Sequence, residues 1–420
     1  MELHKIKVLL RQQGGKMVYL NTDNAIALFK NENNIDKLKM EMKKHYWDDE
    51  KKVRKYKEES VLVGKADCTE KINTVIDQYE VHVQYRNKIQ DPGHNNFEPL
   101  AKQLIDLNES FQLDAMAGCG KTYLLKTIMK QLDEAKKSYI CLAPTHKAGR
   151  VMSPEAITLH KFCNILTTKK CVQDYIIIDE KSMMLEVFYN TLYKLKKNNP
   201  NTKFIISGDW KQLPPVGDRC DYDYANSHAF NELVDFNLVQ LSKCRRSDKE
   251  LFDMYSNPSK INLDKVNTKK CIRNLCYLNS TRKRINTIYM EKMAPEDAII
   301  IAKNKTNPQS QDMMAYKGLP IIACRTRKGD GFVNSDEGKI MKVNDKNIIV
   351  KIEGVEKEIE LDYDEFGKSF YPAYCITVHK SQGITIEEDY TIYDWDRMDD
   401  RLKYVGLSRA VSHKNINIIN

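Results

Sequence analysis

The chain has 420 residues, 41% hydrophobic and 30% charged, with 67 Lys and Arg against 58 Asp and Glu and a formal net charge of +9. That profile fits a soluble globular protein of two or three domains, and no apolar run of about 18 residues is present to cross a membrane. The mild basic excess permits a polyanionic partner without requiring one.

The eleven cysteines are scattered from Cys68 to Cys375. None is paired as CxxC, and the spacing of Cys271 and Cys276 has no matching cluster, so no structural zinc site is expected. Scattered thiols suit a reducing compartment. Met1 to Leu20 lacks the apolar run and small-residue cleavage site of a signal peptide. The expected location is intracellular, in cytoplasm or nucleus. Abundant Lys, Asn and Ile suit an AT-rich genome such as that of a large DNA virus, in which case a viral replication site is expected.

In chain order, GGKMVYLNTDNAIALF (14–29) reads as strand, tight turn, strand. Residues 31–60 form a segment dense in charge and Asn, typical of a solvated region. Asp91-Pro92-Gly93 is a turn signal. From Phe97 apolar strands alternate with helices: FQLDAM (111–116), SYICLAP (138–144), DYIIIDE (174–180) and KFIISGD (203–209) are the strands. YLLKTIMKQLDEA (123–135) is a helix by its three- and four-residue apolar spacing. Such alternation predicts an α/β fold with a parallel sheet covered on both faces, functional loops lying at the carboxyl ends of its strands. A second alternating region begins near Ile272 and resumes at Tyr374. Between about Leu319 and Tyr371, PIIACRTRK, GKIMKV, NIIVKI and KEIELDY are short runs divided by turns, which predicts a small inserted β-barrel.

The chemistry-bearing residues fall at the predicted strand ends. AMAGCGKT (115–122) follows a strand and opens a helix, as a phosphate-binding loop must. Backbone N–H groups of Ala117, Gly118, Cys119 and Gly120 wrap the phosphates, Lys121 neutralises them, and Thr122 offers a hydroxyl to Mg2+. Ala115 stands where the usual first glycine would be. IIIDE (176–180) ends a buried strand in two acids, Asp179 for Mg2+ and Glu180 to polarise an attacking water. In SGDWKQLPPV (207–216) a strand end delivers Gln212 towards a γ-phosphate on a loop stiffened by Leu-Pro-Pro. Trp210 of that segment reads equally as a stacking platform and as packing. Cys119 reads as a small residue that fits the loop, with redox control the alternative.

Through GDWKQLPP the chain resembles superfamily 1 helicases of the RecD-like and Pif-type branch, over about residues 97–420. Further motifs occur in the family's order. APTHKAGR (143–150) and ITLHKF (157–162) resemble nucleic-acid-contacting motifs, which assigns contacts to Pro144, Thr145, His146, Thr158 and His160. LSKCRRSD (241–248) resembles the arginine motif, with Arg246 as the match and Arg245 as the alternative. ITVHKSQGIT (376–385) resembles the motif coupling DNA to ATP, assigning nucleic-acid contacts to Thr377, His379 and Lys380 and a place beside the nucleotide to Gly383. YVGLSRA (404–410) resembles the final motif, whose Arg409 reaches the nucleotide. Gln103 is the candidate adenine reader.

The resemblance implies two RecA-like motor domains facing each other across ATP and Mg2+. The first spans residues 96–250, the second 251–318 and 372–420. An SH3-like barrel fills 319–371, with Arg325, Arg327 and Lys328 as candidate phosphate contacts or a solvated turn, and residues 1–95 form an α+β segment of uncertain role. The implied activity is an ATP-dependent DNA helicase moving 5′ to 3′, acting on single-stranded and forked duplex DNA in replication, repair or recombination, with no membrane partner. An RNA helicase of the same superfamily and a nucleic-acid-binding scaffold with an inactive motor are the alternatives. The segment from Asn164 to Gln173 is short where relatives place a duplex-splitting pin. The hairpin at 14–29 resembles the metal-binding hairpin of family B DNA polymerases, with Asn21 in place of the first acid and Asp23 retained, which implies a remnant without polymerase activity. An ordinary β-hairpin is the alternative.

Overall fold

In the computed structural model the described residues are 16–20, 25–28, 47–48, 53–54, 85–166, 173–215 and 224–419. The chain divides into one unit of Met1–Arg86 with Tyr222–Glu232 and a second of Asn87–Asp221 with Leu233–Asn420. In the first, β1 (Lys16–Leu20) and β2 (Ala25–Leu28) pair antiparallel with a bulge between Met17 and Tyr19. The turn carrying Asn21 and Asp23 lies outside the described residues, as does the middle of the short segment before the IIIDE strand.

The second unit opens on β3 (Asn87–Gln90), α1 (Glu98–Asp106), β4 (Phe111–Ala115) and α2 (Lys121–Glu134). It continues through β5 (Tyr139–Ala143), α3 (His146–Met152), β6 (Ile157–Thr158), α4 (Leu159–Leu166) and β7 (Tyr175–Ile178). Then come α5 (Glu186–Asn198), β8 (Lys203–Gly208), β9 (Asn237–Leu241) and α6 (Lys249–Ser256). The strands form one seven-stranded sheet in the order β3-β9-β4-β8-β7-β5-β6, every ladder parallel. All four residues of β7 are buried, as a strand covered on both faces requires. Helix α2 buries Leu124, Leu125, Ile128, Met129 and Leu132 against it. β3 pairs with β9 although it precedes residue 96. The sheet therefore begins earlier than the boundary expected from the change in sequence texture.

A second parallel sheet has the order β16-β10-β17-β18, from β10 (Arg273–Cys276), β16 (Cys375–Thr377), β17 (Tyr390–Tyr393) and β18 (Ile416–Ile419). Helices α7 (Asn279–Met293) and α8 (Asp400–Leu407) belong to this half. Between β10 and β16 the chain builds an antiparallel five-stranded sheet from β11 (Pro320–Ala323), β12 (Glu337–Val343), β13 (Asn347–Ile352), β14 (Ile359–Asp362) and β15 (Phe370–Pro372). Its order is β14-β13-β12-β11-β15. Along β13 the inward residues Ile348, Val350 and Ile352 alternate with half-exposed ones, the period of a one-sided sheet. Ile285, Tyr289 and Met290 of α7 share this insertion's core. No helix among the described residues is long and apolar enough to cross a membrane.

Candidate nucleotide site and nucleic-acid face

The loop after β4 folds back before α2 because two glycines take left-handed conformations, Gly118 at φ 79° and Gly120 at φ 97°. Both are also packed. A methyl on Gly118 would lie 3.2 Å from the Arg246 Cβ and the Cys244 Sγ, and one on Gly120 would lie 3.1 Å from the Phe97 ring. The arginine segment thus lies directly on the loop, and the Arg245 N–H donates to the Gly118 carbonyl at 2.8 Å. Lys121 opens α2, and its Nζ donates to the Ala115 and Met116 carbonyls at 2.5 and 3.1 Å. Burial drives the Cys119 thiol up to about 12, away from the reactive thiolate form.

At the end of β7, Asp179 is buried and its Oδ1 accepts from the Glu180 N–H at 2.9 Å. Glu180 adopts φ 59°, a left-handed conformation that costs a non-glycine residue about 1 kcal/mol or more. Its Oε2 is buried with no hydrogen-bond partner. Burial, reinforced by the Asp179 charge, pushes its carboxyl up to about 7, while Lys121 and Arg409 pull the other way. Next to these acids Lys181 is wholly buried, its Nζ 2.8 Å from Asp114 Oδ1 and 3.1 Å from Gln112 Oε1. The Trp210 ring lies 4.8 Å from that ammonium, so this indole packs on a cation.

The second sheet supplies the other wall. Arg409 is 3% exposed, and its guanidinium donates to the carbonyls of Val405, Ser381 and Ile384 and to the Ser408 hydroxyl. Burial, then the neighbouring Arg246 charge, lowers its pKa to about 10, which leaves it charged at neutral pH. Arg246 reaches the same wall through the Ser408 carbonyl and the Thr385 hydroxyl. Gln212 is buried, with Gln382 Nε2 at 3.5 Å from its Oε1, and Gly383 next to Gln382 turns at φ 76°. Lys121, Asp179, Glu180, Gln212, Arg246 and Arg409 are thus assembled from both sheets. Gln103 is not: it sits on the exposed face of α1, and no contact links its side chain to the phosphate loop.

The expected nucleic-acid residues divide into two sets. Thr145 and His160 are exposed and Pro144, His146 and Thr158 half-buried on the first sheet's side; the His160 ring meets Phe188 edge-on at 4.6 Å. On the second sheet's side His379 is exposed and stacks on Tyr277 at 6.2 Å. Thr377 departs from the expectation of a surface contact. It is buried, and its hydroxyl caps the turn after β16 by accepting from the Lys380 N–H. Lys380 is half-buried, with burial lowering its ammonium to about 8. Its Nζ reaches Asn334 Oδ1 at 2.5 Å and Ser335 Oγ at 3.2 Å, in a turn of the insertion where Ser335 adopts φ 74°. Lys147, which follows His146, donates to the Ser335 carbonyl at 2.7 Å. Sequence reading did not single out Lys147 or this turn. Arg327 is tied to Asp330 and Glu365, and Arg325 is exposed.

Residues 103–218 match the AAA domain family. The chain is similar to the ATP-dependent DNA helicase Pif1 of Bdellovibrio bacteriovorus, at 23% identity over 76% of this chain and 86% of that protein. The ATP-dependent DNA helicase Pif1 of Campylobacter jejuni is 24% identical over 73% of this chain and 88% of its own. Among solved structures, the fold is similar to a Pif1 helicase from Candida albicans, with a TM-score of 0.60 at 20% identity over 78% of this chain and 94% of the other. A Bacteroides Pif1 helicase in complex with ADP-AlF3 and single-stranded DNA gives 0.59 at 18% identity over 78% and 93%.

Proposed function

We infer that this chain, a superfamily 1 helicase of the Pif1 type, hydrolyses ATP to move 5′ to 3′ along single-stranded DNA and open a duplex ahead of it. The observation that carries the reading is the composite site. Arg246 lies against Gly118 of the phosphate loop and donates to the Ser408 carbonyl, next to Arg409 of the second half, so the two walls meet at this point. A nucleotide between them would be cut only when both walls are in place, which ties hydrolysis to relative motion of the two sheets.

The residue set fits a nucleotide with its divalent cation: a left-handed glycine loop, Lys121 at the start of α2, and two adjacent acids, Asp179 buried and Glu180 half-buried with one unpartnered oxygen. Lys121, Thr122 and Asp179 would hold the phosphates and Mg2+, whose charge would offset that of the transferring phosphoryl group. Glu180 takes the proton of the attacking water once it is ionised. Arg246 and Arg409 bring fixed positive charge to oxygens that gain charge in the transition state, a stabilisation that needs no reorganisation because both side chains are already held. The exposed His160, His379 and half-buried Lys380 suit a single strand gripped by stacking and phosphate contacts with little base reading.

Forked duplex is the expected substrate, and work in replication, repair or recombination the expected setting, since both Pif1 relatives are DNA helicases. The test is steady-state ATPase with no nucleic acid, single-stranded DNA or single-stranded RNA, beside Lys121→Ala. DNA is expected to raise turnover more than RNA, and Lys121→Ala to abolish it. Equal stimulation by RNA, or turnover in pure Lys121→Ala protein, contradicts the reading.

A further inference from the structure

Tyr404, on α8, reaches out of the second sheet's half into the first. Its hydroxyl accepts the Ala117 N–H of the phosphate loop at 2.7 Å and donates to Asp209 Oδ2. Asp209 is 3% exposed and sits two residues before Lys211 and three before Gln212. Its other oxygen, Oδ1, accepts the Lys211 N–H at 2.9 Å, and its carbonyl accepts the Gln212 N–H at 3.1 Å. The Asp209 side chain therefore shapes the turn that presents Gln212, and the Tyr404 hydroxyl fixes which way that carboxylate faces. Burial, then the Asp209 charge, pushes the phenol far above its ordinary range, so it keeps the proton it donates.

A second tyrosine completes the arrangement. Tyr255 of α6 donates to the Ala117 carbonyl at 2.9 Å, and the two phenol rings meet edge-on at 5.6 Å. One residue of the phosphate loop is thus held at its N–H by one phenol and at its carbonyl by another, and Tyr404 also touches the Gln212 turn. Arg409 follows Tyr404 by five residues, just beyond the end of α8.

We propose that Tyr404 is a positioning residue for ATP hydrolysis: when the second sheet's half closes on the first, its hydroxyl locks the Ala117 peptide and the Asp209 carboxylate together, and so aligns Gln212 in the same movement that delivers Arg409. Opening the cleft withdraws the hydroxyl, leaves a buried carboxylate short of a donor, and loosens the Gln212 turn. Nucleic acid that favours closure then raises turnover by completing the site rather than by improving ATP binding. The proposal rests on the motor reading above.

The test uses the full chain. Tyr404→Phe keeps the ring and its edge-on packing and removes only the hydroxyl. Its DNA-stimulated kcat is expected to fall about tenfold or more, the worth of a hydrogen bond to a charged group, with the KM for ATP and oligo-dT affinity little changed. Asp209→Ala should fall comparably, and Tyr404→Phe combined with Asp209→Ala should be no worse than Asp209→Ala alone, because the hydroxyl acts through that carboxylate. Tyr255→Phe, which frees the Ala117 carbonyl but leaves Asp209 alone, should cost clearly less. A Tyr404→Phe kcat within about twofold of the parent, multiplying losses in the double variant, or equal losses from Tyr255→Phe and Tyr404→Phe each overturn it. Failure of the motor reading is separate and visible first: the parent protein itself would show no stimulation by DNA.

Discussion

Asp91 receives both terminal nitrogens of Arg245, at 2.6 and 3.0 Å, and so separates the functions of two adjacent arginines. Arg245 is further held by the Cys119, Lys243 and His94 carbonyls and lies 4.6 Å over the Phe97 ring. Its charge is spent on the fold. Arg246, beside it, points to the second sheet's wall. Arg245→Ala leaves a carboxylate that is 4% exposed with backbone N–H donors but no counter-charge, and should cost about 3 kcal/mol of stability. Arg246→Ala should cost little stability but cut turnover about 100-fold or more with nucleotide binding largely kept. Urea unfolding beside ATPase assays separates the two, and the reverse pattern would move the catalytic assignment to Arg245. Burial would raise the Asp91 carboxyl, yet the Arg245 hydrogen bonds, with the Lys243 and Gly93 N–H groups, hold it at about 2. A depressed folded pKa stabilises above the unfolded value, so this contribution is complete above about pH 4 and lost as pH falls towards 2.

Turnover should follow the ionisation of Glu180. Burial and the Asp179 charge set its carboxyl at about 7, and it works as a base only without its proton. The kcat/KM for ATP should therefore rise with pH, losing about tenfold per unit well below that value and levelling off above it. Glu180→Gln should remove both activity and profile. A flat profile across this range in the parent protein would deny Glu180 the role of base.

The buried Lys181–Asp114 pair predicts an asymmetry. Asp114 is 28% exposed, so Lys181→Met leaves a carboxylate that can still meet water. Asp114→Asn instead leaves a fully buried ammonium with only neutral oxygens for partners, and should cost about 3 kcal/mol, clearly more than Lys181→Met. Urea midpoints of the two variants decide it; a larger loss in Lys181→Met would show that packing against Trp210, rather than charge, dominates.

Directionality is tested with duplexes bearing one single-stranded tail. The protein should unwind the 5′-tailed substrate and spare the 3′-tailed one. The reverse result would reject the polarity and leave the ATPase intact.

Much of this was legible before the structure because it is local. Strand, loop and helix around Lys121 follow from apolar spacing and two glycines, and the insertion follows from short alternating runs. What escaped is what the sheet order creates. β3 reads as a polar tetrapeptide, and only its pairing with β9 shows that the first sheet starts at Asn87 and that Asp91 meets Arg245. Lys181 reads as a surface lysine until Asp114, Gln112 and Trp210 surround it. Tyr255 and Tyr404 read as core, which their rings are; only their hydroxyls reach the loop. Gln103 was placed by residue type and a rough distance from the loop, and the structure shows it on the exposed face of α1.

The Asn334–Ser335 turn takes a lysine from each half of the motor, Lys147 through one backbone carbonyl and Lys380 through two side-chain oxygens. Arg150, of the same first-half helix as Lys147, adds an ion pair to the buried Asp336 at 3.1 Å, so the insertion is a coupling rod pinned at both ends. Because the second half's own chain runs through the insertion, any parting of the halves would have to break the Lys147 and Arg150 contacts and not the backbone. Both cations, Lys147 and Arg150, belong to α3, the helix that opens on His146, so the contacts that hold the insertion and the expected grip on nucleic acid share one short element.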